Sequence, residues 1–247
     1  GSAAIVVTDN DPDLAQRLAD ELMAYLLEHR EDFVGEYVTV TDAVETAVGK
    51  SGPICLLDMG DNVGGGSAAD STLIAHEVHR RADTTAFVCL YDQASQNEAR
   101  VAGVGAKLSL SMGGNTDDLH GEPLTAEVTV KSLHDGKFEE SEIRHGGYTY
   151  FDMGATAVVT SESGLTISLT SRRVAPVSLG LVTSIGLDPA DFQMLIAKGV
   201  HAPVAAFAPV CTELIRVNTE GATAADMRTF EYRYRRKPMF PFEEIGG

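Results

Sequence analysis

Residues 53–67 read Pro-Ile-Cys-Leu-Leu-Asp-Met-Gly-Asp-Asn-Val-Gly-Gly-Gly-Ser, and no other stretch constrains the fold of this chain as strongly. Pro53 to Leu57 is a short apolar run, the pattern of a strand buried on both faces. Asp58, Asp61, Asn62 and the glycines 60, 64, 65 and 66 follow at once. A helical pattern starts near Ser71-Thr72-Leu73 and runs to about Arg81. Strand, glycine loop, helix is the order that places ligands at the carboxyl edge of an α/β sheet. The glycines permit positive φ and close backbone approach. The helix start offers free N–H groups and a positive dipole end.

The loop matches neither familiar nucleotide motif. G-x-G-x-x-G is not met. Gly60 and Gly65 have P-loop separation, but Gly66-Ser67 stands where Gly-Lys-Ser/Thr is required. Asp58 and Asp61 would also repel a bare phosphate. Carboxylates beside an amide suit a cation, or a substrate already bound to one. The competing reading is a tight turn whose Asp and Asn side chains cap backbone N–H groups.

The surrounding pattern predicts an α/β fold, with a parallel βα-type sheet and an inserted or appended antiparallel β segment. Asp11-Pro12 starts a first helix that reaches about Arg30, with Leu14, Leu18, Leu22 and Leu26 on one face. A shorter helix spans Asp42 to Val48. Strands are predicted at 85–90 and 106–112, with a helix over 93–102 between them, as in βαβ units. Helix signals vanish from about 122 to 174. There Ala126, Val128 and Val130 alternate with polar residues, and Asp135-Gly136 and Ser163-Gly164 mark hairpin turns. Helical character returns over 178–185, strands over 194–197 and 212–217, and the tail from Tyr232 reads as an extended strap.

With 247 residues the chain is long enough for one large or two small domains. A formal charge of −17, from 19 basic and 36 acidic residues, argues against nucleic acid and anionic membranes as partners. No apolar run approaches spanning length. Cys55, Cys89 and Cys211 are odd in number and widely spaced, which fits a reducing, cytoplasmic setting without a disulfide framework. Gly1-Ser2 reads as an expression scar and residues 3–7 as a strand, so the chain is expected to begin inside a larger protein.

Other residues carry weaker chemical signals. His76 and His79 stand at i and i+3, not the i and i+4 of a zincin helix. Asp117 and His120 are candidate ligands or an acid/base pair. Arg172 or Arg173 is placed to clamp a substrate carboxylate, and His201, after a strand, to act as base or ligand. No Gly-x-Ser-x-Gly elbow supports serine hydrolase chemistry.

Asp58-Met59-Gly60-Asp61-Asn62-Val63-Gly64-Gly65-Gly66 with Asp70-Ser71-Thr72 resembles the D-x-x-D-N-x-G-G-G-x-x-x-D-x-T signature of the microcystin-degradation protein MlrC family. Gly113-Gly114-Asn115-Thr116-Asp117 with His120-Gly121, Asp152-Met153-Gly154 with Thr156-Ala157, Thr170-Ser171-Arg172-Arg173-Val174, and Lys198 with His201 are similar to that family's C-terminal region, in the same order. The segment Gly199 to Pro203 departs from the aromatic- and Arg-containing stretch expected there.

The resemblance implies a zinc-dependent metallopeptidase or amidohydrolase of a bacterial cytoplasm, acting on a peptide or amide substrate. The main zinc ligands would lie in an N-terminal catalytic domain outside this chain. Residues 1–50 would then be its end or the join to it, and 51–247 the C-terminal-like domain. The catalytic candidates are Asp61, Asn62 and His201, with Asp61 completing a zinc site shared with that domain. Gly64, Gly65, Gly66, Asp117, His120, Arg172 and Lys198 would contact substrate. No tightly bound zinc is expected in this chain alone, and a homo-oligomer is a further expected partner state. Two rival readings stand beside this one, a non-catalytic ligand-binding or assembly module and a nucleotide- or phosphate-binding α/β domain.

Overall fold

A computed structural model describes residues 2–81 and 84–243; Gly1 of the expected scar lies outside them. The chain divides into two compact units, residues 1–36 with 228–247, and residues 37–227. The helix ahead of residue 50 has Ala43, Val44 and Ala47 fully buried in the core of the larger unit.

The smaller unit holds helix α1 (Pro12–Glu28), capped by Asp11, whose side chain accepts from Leu14 N at 2.9 Å. No residue of α1 is buried, and Leu22, Tyr25 and Leu27 are more than half exposed. Residues 3–7, expected as a strand, have no strand partner. In the tail Arg235 pairs with Glu243 and stacks over the Phe242 ring.

The larger unit runs α2 (Val40–Val48), β1 (Ile54–Asp58), α3 (Leu73–Arg80), β2 (Ala86–Tyr91), α4 (Gln93–Ala102), β3 (Lys107–Met112), β4 (Leu124–His134), β5 (Lys137–Glu139), β6 (Tyr150–Asp152), β7 (Thr156–Ser161), β8 (Leu165–Thr170), α5 (Gly180–Thr183), β9 (Met194–Ala197), α6 (Val204–Phe207) and β10 (Glu213–Val217). Eight strands form one sheet in the order β10-β1-β9-β2-β8-β7-β4-β3, and β5 pairs with β6 apart from it. Strands β10, β1, β9, β2 and β8 are parallel. Strands β7, β4 and β3 then continue the sheet in antiparallel register.

One expectation changes here. The 106–112 strand is not part of the parallel sheet. No helix connects it to β4, so the two pair antiparallel at the sheet edge. The 122–174 segment is the expected antiparallel part, appended to the parallel strands: β8 pairs parallel with β2 on one side and antiparallel with β7 on the other.

The central strands are apolar throughout because both sheet faces are covered. Ile54 and Leu56 of β1 point into one buried cluster, with α2, α3 and α4. Cys55 and Leu57 point into the other, with α5 and α6. All three cysteines are free. No helix among the described residues is long and apolar enough to cross a membrane.

Candidate active site

The sheet topology creates one crevice. Strand β9 lies between β1 and β2. The helices after β1 and β2 pack on one face, whereas α6, after β9, packs on the other. The loops leaving β1 and β9 therefore diverge, and open α/β sheets bind ligands where neighbouring loops diverge. Two oppositely charged residues meet there. Asp58 ends β1 and Lys198 follows β9.

Lys198 is buried, and its Nζ lies 2.8 Å from Asp58 Oδ2 and 3.4 Å from Asp61 Oδ2. The same ammonium donates to Ser71 O. Burial pushes the Lys198 ammonium down, but the charges of Asp58 and Asp61 outweigh this and raise it above its ordinary value. Asp61 is also fully buried. Its Oδ1 accepts from Ala69 N at 2.7 Å and its Oδ2 from Ser71 N at 2.8 Å. Burial alone would push its carboxyl up, yet the Lys198 charge and the N–H groups of Ser71 and Ala69 bring it below the ordinary range. Asp58 Oδ1 accepts from the Thr219 hydroxyl at 2.5 Å.

The glycine loop is laid over this ion network. Gly60 N donates to Thr219 Oγ1 at 2.7 Å, and Asn62 N to Thr223 Oγ1 at 2.9 Å. A Cβ on Gly60 would stand 2.0 Å from Glu220 O, so only glycine admits the 219–223 segment. Val63 N donates to Lys198 O at 3.3 Å and joins the two diverging loops at the crevice. Beyond that point Gly64, Gly65 and Gly66 are exposed. The carboxamide of Asn62 has no hydrogen-bond partner among the described residues. Gly64, Gly65 and Gly199 leave it open: a Cβ on any of them would come within 3.4 Å of its oxygen or nitrogen.

The loop after β3 reaches the same place despite the antiparallel register. Gly114 N donates to Asp70 O at 2.7 Å, and Gly113 N to Asp92 Oδ2 at 3.0 Å. Thr116 N and its hydroxyl both donate to Asp70 Oδ2. His120 is fully buried. Its Nδ1 lies 2.7 Å from Asp117 Oδ1, and its Nε2 lies 2.8 Å from Ser67 Oγ and 3.2 Å from Ala222 N. Because Ala222 N–H donates to Nε2, the proton sits on Nδ1 and faces Asp117.

Hydroxyl, imidazole and carboxylate thus line up as in a serine hydrolase. The nucleophile's other requirement, access for a carbonyl, is not met. Ser67 is 1% exposed, and its Oγ is also 3.3 Å from Gly60 O. The trio clamps the glycine loop to the 117–121 and 219–222 segments.

The structure therefore brings Asp61, Asn62, Gly64, Gly65, Gly66, Asp117, His120 and Lys198 together, with Asn62, the glycines and Asp117 toward the surface and Asp61, His120 and Lys198 beneath. His201 is exposed, in the turn between β9 and α6. Arg172 is not at the crevice centre: it pairs with Asp152 at the end of β6. His76 and His79 turn to different partners, Glu122 O at 2.9 Å and Ser163 Oγ at 2.7 Å. The site also uses Thr219, Thr223 and Ser67, which sequence reasoning did not single out, and Asp58, which it noted as a loop carboxylate without assigning its partner. For that partner a signal existed: a carboxylate ending one buried strand and a lysine following another call for each other.

The described residues do not make up a zinc centre. Among them no group of three or more His, Cys, Asp or Glu side chains converges on a point. Both oxygens of Asp61 accept from main-chain N–H groups, and Oδ2 also lies 3.4 Å from the Lys198 ammonium, so a metal at this carboxylate would meet Lys198 as a rival cation. A bare phosphate would meet the carboxylates of Asp58 and Asp61 here, and the two N–H groups that lead into α3 are already taken, Thr72 N by His120 O at 2.9 Å and Ser71 N by Asp61.

Microcystinase C of a Sphingomonas species is 22% identical over 249 residues, covering 99% of this chain and 47% of that protein. A crystal structure from Mesorhizobium sp. BNC1, described as a candidate metallopeptidase, superimposes with a TM-score of 0.79 at 26% identity, over 94% of this chain and 46% of that one. The chain thus spans about half the length of each relative. The family profile described as the MlrC C-terminus matches residues 56–234, from β1 through the 219–223 segment into the tail. The chain belongs to the MlrC C-terminus family.

Proposed function

We propose that this chain forms the loop-bearing part of a zinc-dependent peptidase or amidohydrolase, and that the crevice above β9 receives the scissile amide. One observation carries the reading. An unpartnered Asn62 carboxamide stands on a glycine rim, held from below by the buried Asp58–Lys198–Asp61 network. A polar side chain without a partner, fixed by a rigid support and cleared of neighbouring bulk, is suited to hydrogen-bond a substrate. A carboxamide offers a donor and an acceptor together, which is what a peptide group needs.

In this reading Asn62 orients the substrate amide, and Gly64 to Gly66 let the substrate backbone lie close to the loop. His201, exposed on the neighbouring turn, holds or donates a proton at its imidazole. Lys198 and Asp61 touch no substrate; they fix the loop from which Asn62 projects. Zinc, when bound by ligands beyond the described residues, would polarise a carbonyl and lower the pKa of water. The Mesorhizobium description supports a metal, and the similarity to Microcystinase C supports a peptide substrate.

The test is hydrolysis of a panel of linear peptides by a zinc-loaded protein of the relatives' full length that carries this region, followed by mass spectrometry. Cleavage that is lost on chelation and restored by zinc is the expected result. A folded, zinc-loaded protein that cleaves none of the panel overturns the reading.

A further inference from the structure

The smaller unit holds a segment that the function above does not use. Residues 3–8 read Ala-Ala-Ile-Val-Val-Thr. Ala4, Val6 and Thr8 are half-buried, whereas Ala3, Ile5 and Val7 are exposed, Ile5 at 90% and Val7 at 89%. A period of two with one covered face is what an extended chain produces. Ile5, Val6, Val7 and Thr8 are β-branched, which favours the same state. Yet neither sheet includes the segment, and no main-chain hydrogen bond joins residues 3–7 to any other among the described residues.

An apolar extended run with unpaired main-chain groups is a template for another sheet, and exposed strands that stay single are protected by charge or proline. Ala3 to Thr8 carries neither. Bare apolar surface continues on α1, where no residue is buried and Leu22 and Tyr25, about one turn apart, are more than half exposed.

The occupant follows from size and charge. A second copy would bring another formal charge of −17. The strip is also small, six residues with two helix side chains, against the roughly 20–30 residues a side that hold separate chains together. A strip of this size suffices when a tether keeps the partner near. Both relatives are about twice as long as the region they share with this chain, and the unshared half is as long as a domain.

We propose that residues 3–8 add as a strand to the edge of a sheet in the further domain of proteins of the relatives' length. Main-chain hydrogen bonds make the join, and Ile5 and Val7 bury their side chains against that domain. This interface does not depend on the peptidase or amidohydrolase reading.

The test is amide hydrogen exchange, read without turnover, on the 247-residue chain and on a protein of the relatives' full length that carries it. In the shorter chain the amides of residues 4–8 should exchange at the rate of an unstructured peptide. In the longer protein alternate amides of this run should be slowed by about a hundredfold or more, as in a paired strand. The double variant Ile5→Lys, Val7→Lys should leave the melting temperature of the shorter chain unchanged, because both side chains are exposed there. In the longer protein it should abolish the protection, and Ile5→Val should retain it. Free exchange in both proteins overturns the proposal, as does a lysine variant protected like the parent. Protection already present in the shorter chain also overturns it, and protection that grows with concentration beside a dimer mass assigns the strip to a second copy.

Discussion

Lys198 Nζ stands 2.8 Å from Asp58 Oδ2, and this contact joins the ends of the two strands whose loops form the crevice. Both side chains are almost wholly inaccessible, at 4% and 0% exposure. A buried charge pair gives little net stability compared with an apolar pair of the same shape, but breaking it strands a charge. Replacing only the lysine leaves Asp58 and Asp61 without their counter-ion. Lys198→Met should cost about 3–5 kcal/mol in denaturant unfolding. A loss under about 1 kcal/mol would mean that the network does not hold the loops together.

The same network predicts a stability plateau in pH. The Asp61 carboxyl is held below its ordinary value. Its contribution is full above the unfolded carboxyl pKa of about 4 and is lost as pH falls through the folded value. The Lys198 ammonium is held above its ordinary value. Its contribution is full below the unfolded lysine pKa of about 10.4 and is lost as pH rises through the folded value. Urea midpoints should therefore fall at both ends, and Asp61→Asn should flatten the acid limb selectively. An acid limb identical in Asp61→Asn and parent would remove Asp61 from this account.

The glycines of the loop should separate into two kinds. Gly60 faces backbone: an added Cβ would meet Glu220 O at 2.0 Å and Thr219 O at 2.5 Å. Gly66 has φ of +96° with no atom within 4 Å of an added Cβ. Gly66→Ala should cost about 1–2 kcal/mol of backbone strain alone. Gly60→Ala must push the 219–223 segment away, lose the Thr219 contact, and lower the melting temperature much further. Equal losses from the two substitutions would contradict the packing described.

Ser67 offers a sharper test of chemistry. As a nucleophile its removal would abolish turnover. As a clamp, with its hydroxyl 2.8 Å from His120 Nε2, its loss should cost about 1 kcal/mol and leave turnover within a few-fold. Ser67→Ala in the hydrolysis assay decides between them.

Much of the larger unit was legible because its signals are local. Apolar runs such as Ile54–Leu57 mark buried strands, and Asp11 caps the first helix where the sequence places it. The direction of β3 was not legible. Periodicity identifies a strand but not its partner, and here Lys107–Met112 pairs only with β4. In the site, Asp61, Asn62 and the glycines stood out through their crowding in a few residues. Thr219 and Thr223 did not, because each is an ordinary hydroxyl whose role depends on a partner about 160 positions away, Asp58 for one and Asn62 for the other. Arg172 and Arg173 are neighbours of the same type, and only the placement of Asp152 and Tyr91 tells them apart.

Asp61 and Asn62 are adjacent in sequence and opposite in environment, which gives the last prediction. Asp61 is fully buried, with both oxygens bonded to main-chain N–H groups. Its substitution by alanine leaves two buried N–H groups unsatisfied and removes one of the two carboxylates beside Lys198. Each such group costs about 1–3 kcal/mol, so Asp61→Ala should lower the melting temperature sharply and reduce turnover with it. Asn62 is partly exposed and its carboxamide has no hydrogen-bond partner among the described residues, so Asn62→Ala should leave the melting temperature within about a degree. If the carboxamide holds the scissile amide in the transition state, turnover should nevertheless fall by roughly two orders of magnitude, the scale for losing one oriented donor. Melting temperature and turnover measured on both variants, in a protein of the relatives' full length, separate support from contact. An Asn62→Ala protein with unchanged turnover would move the site away from the glycine rim.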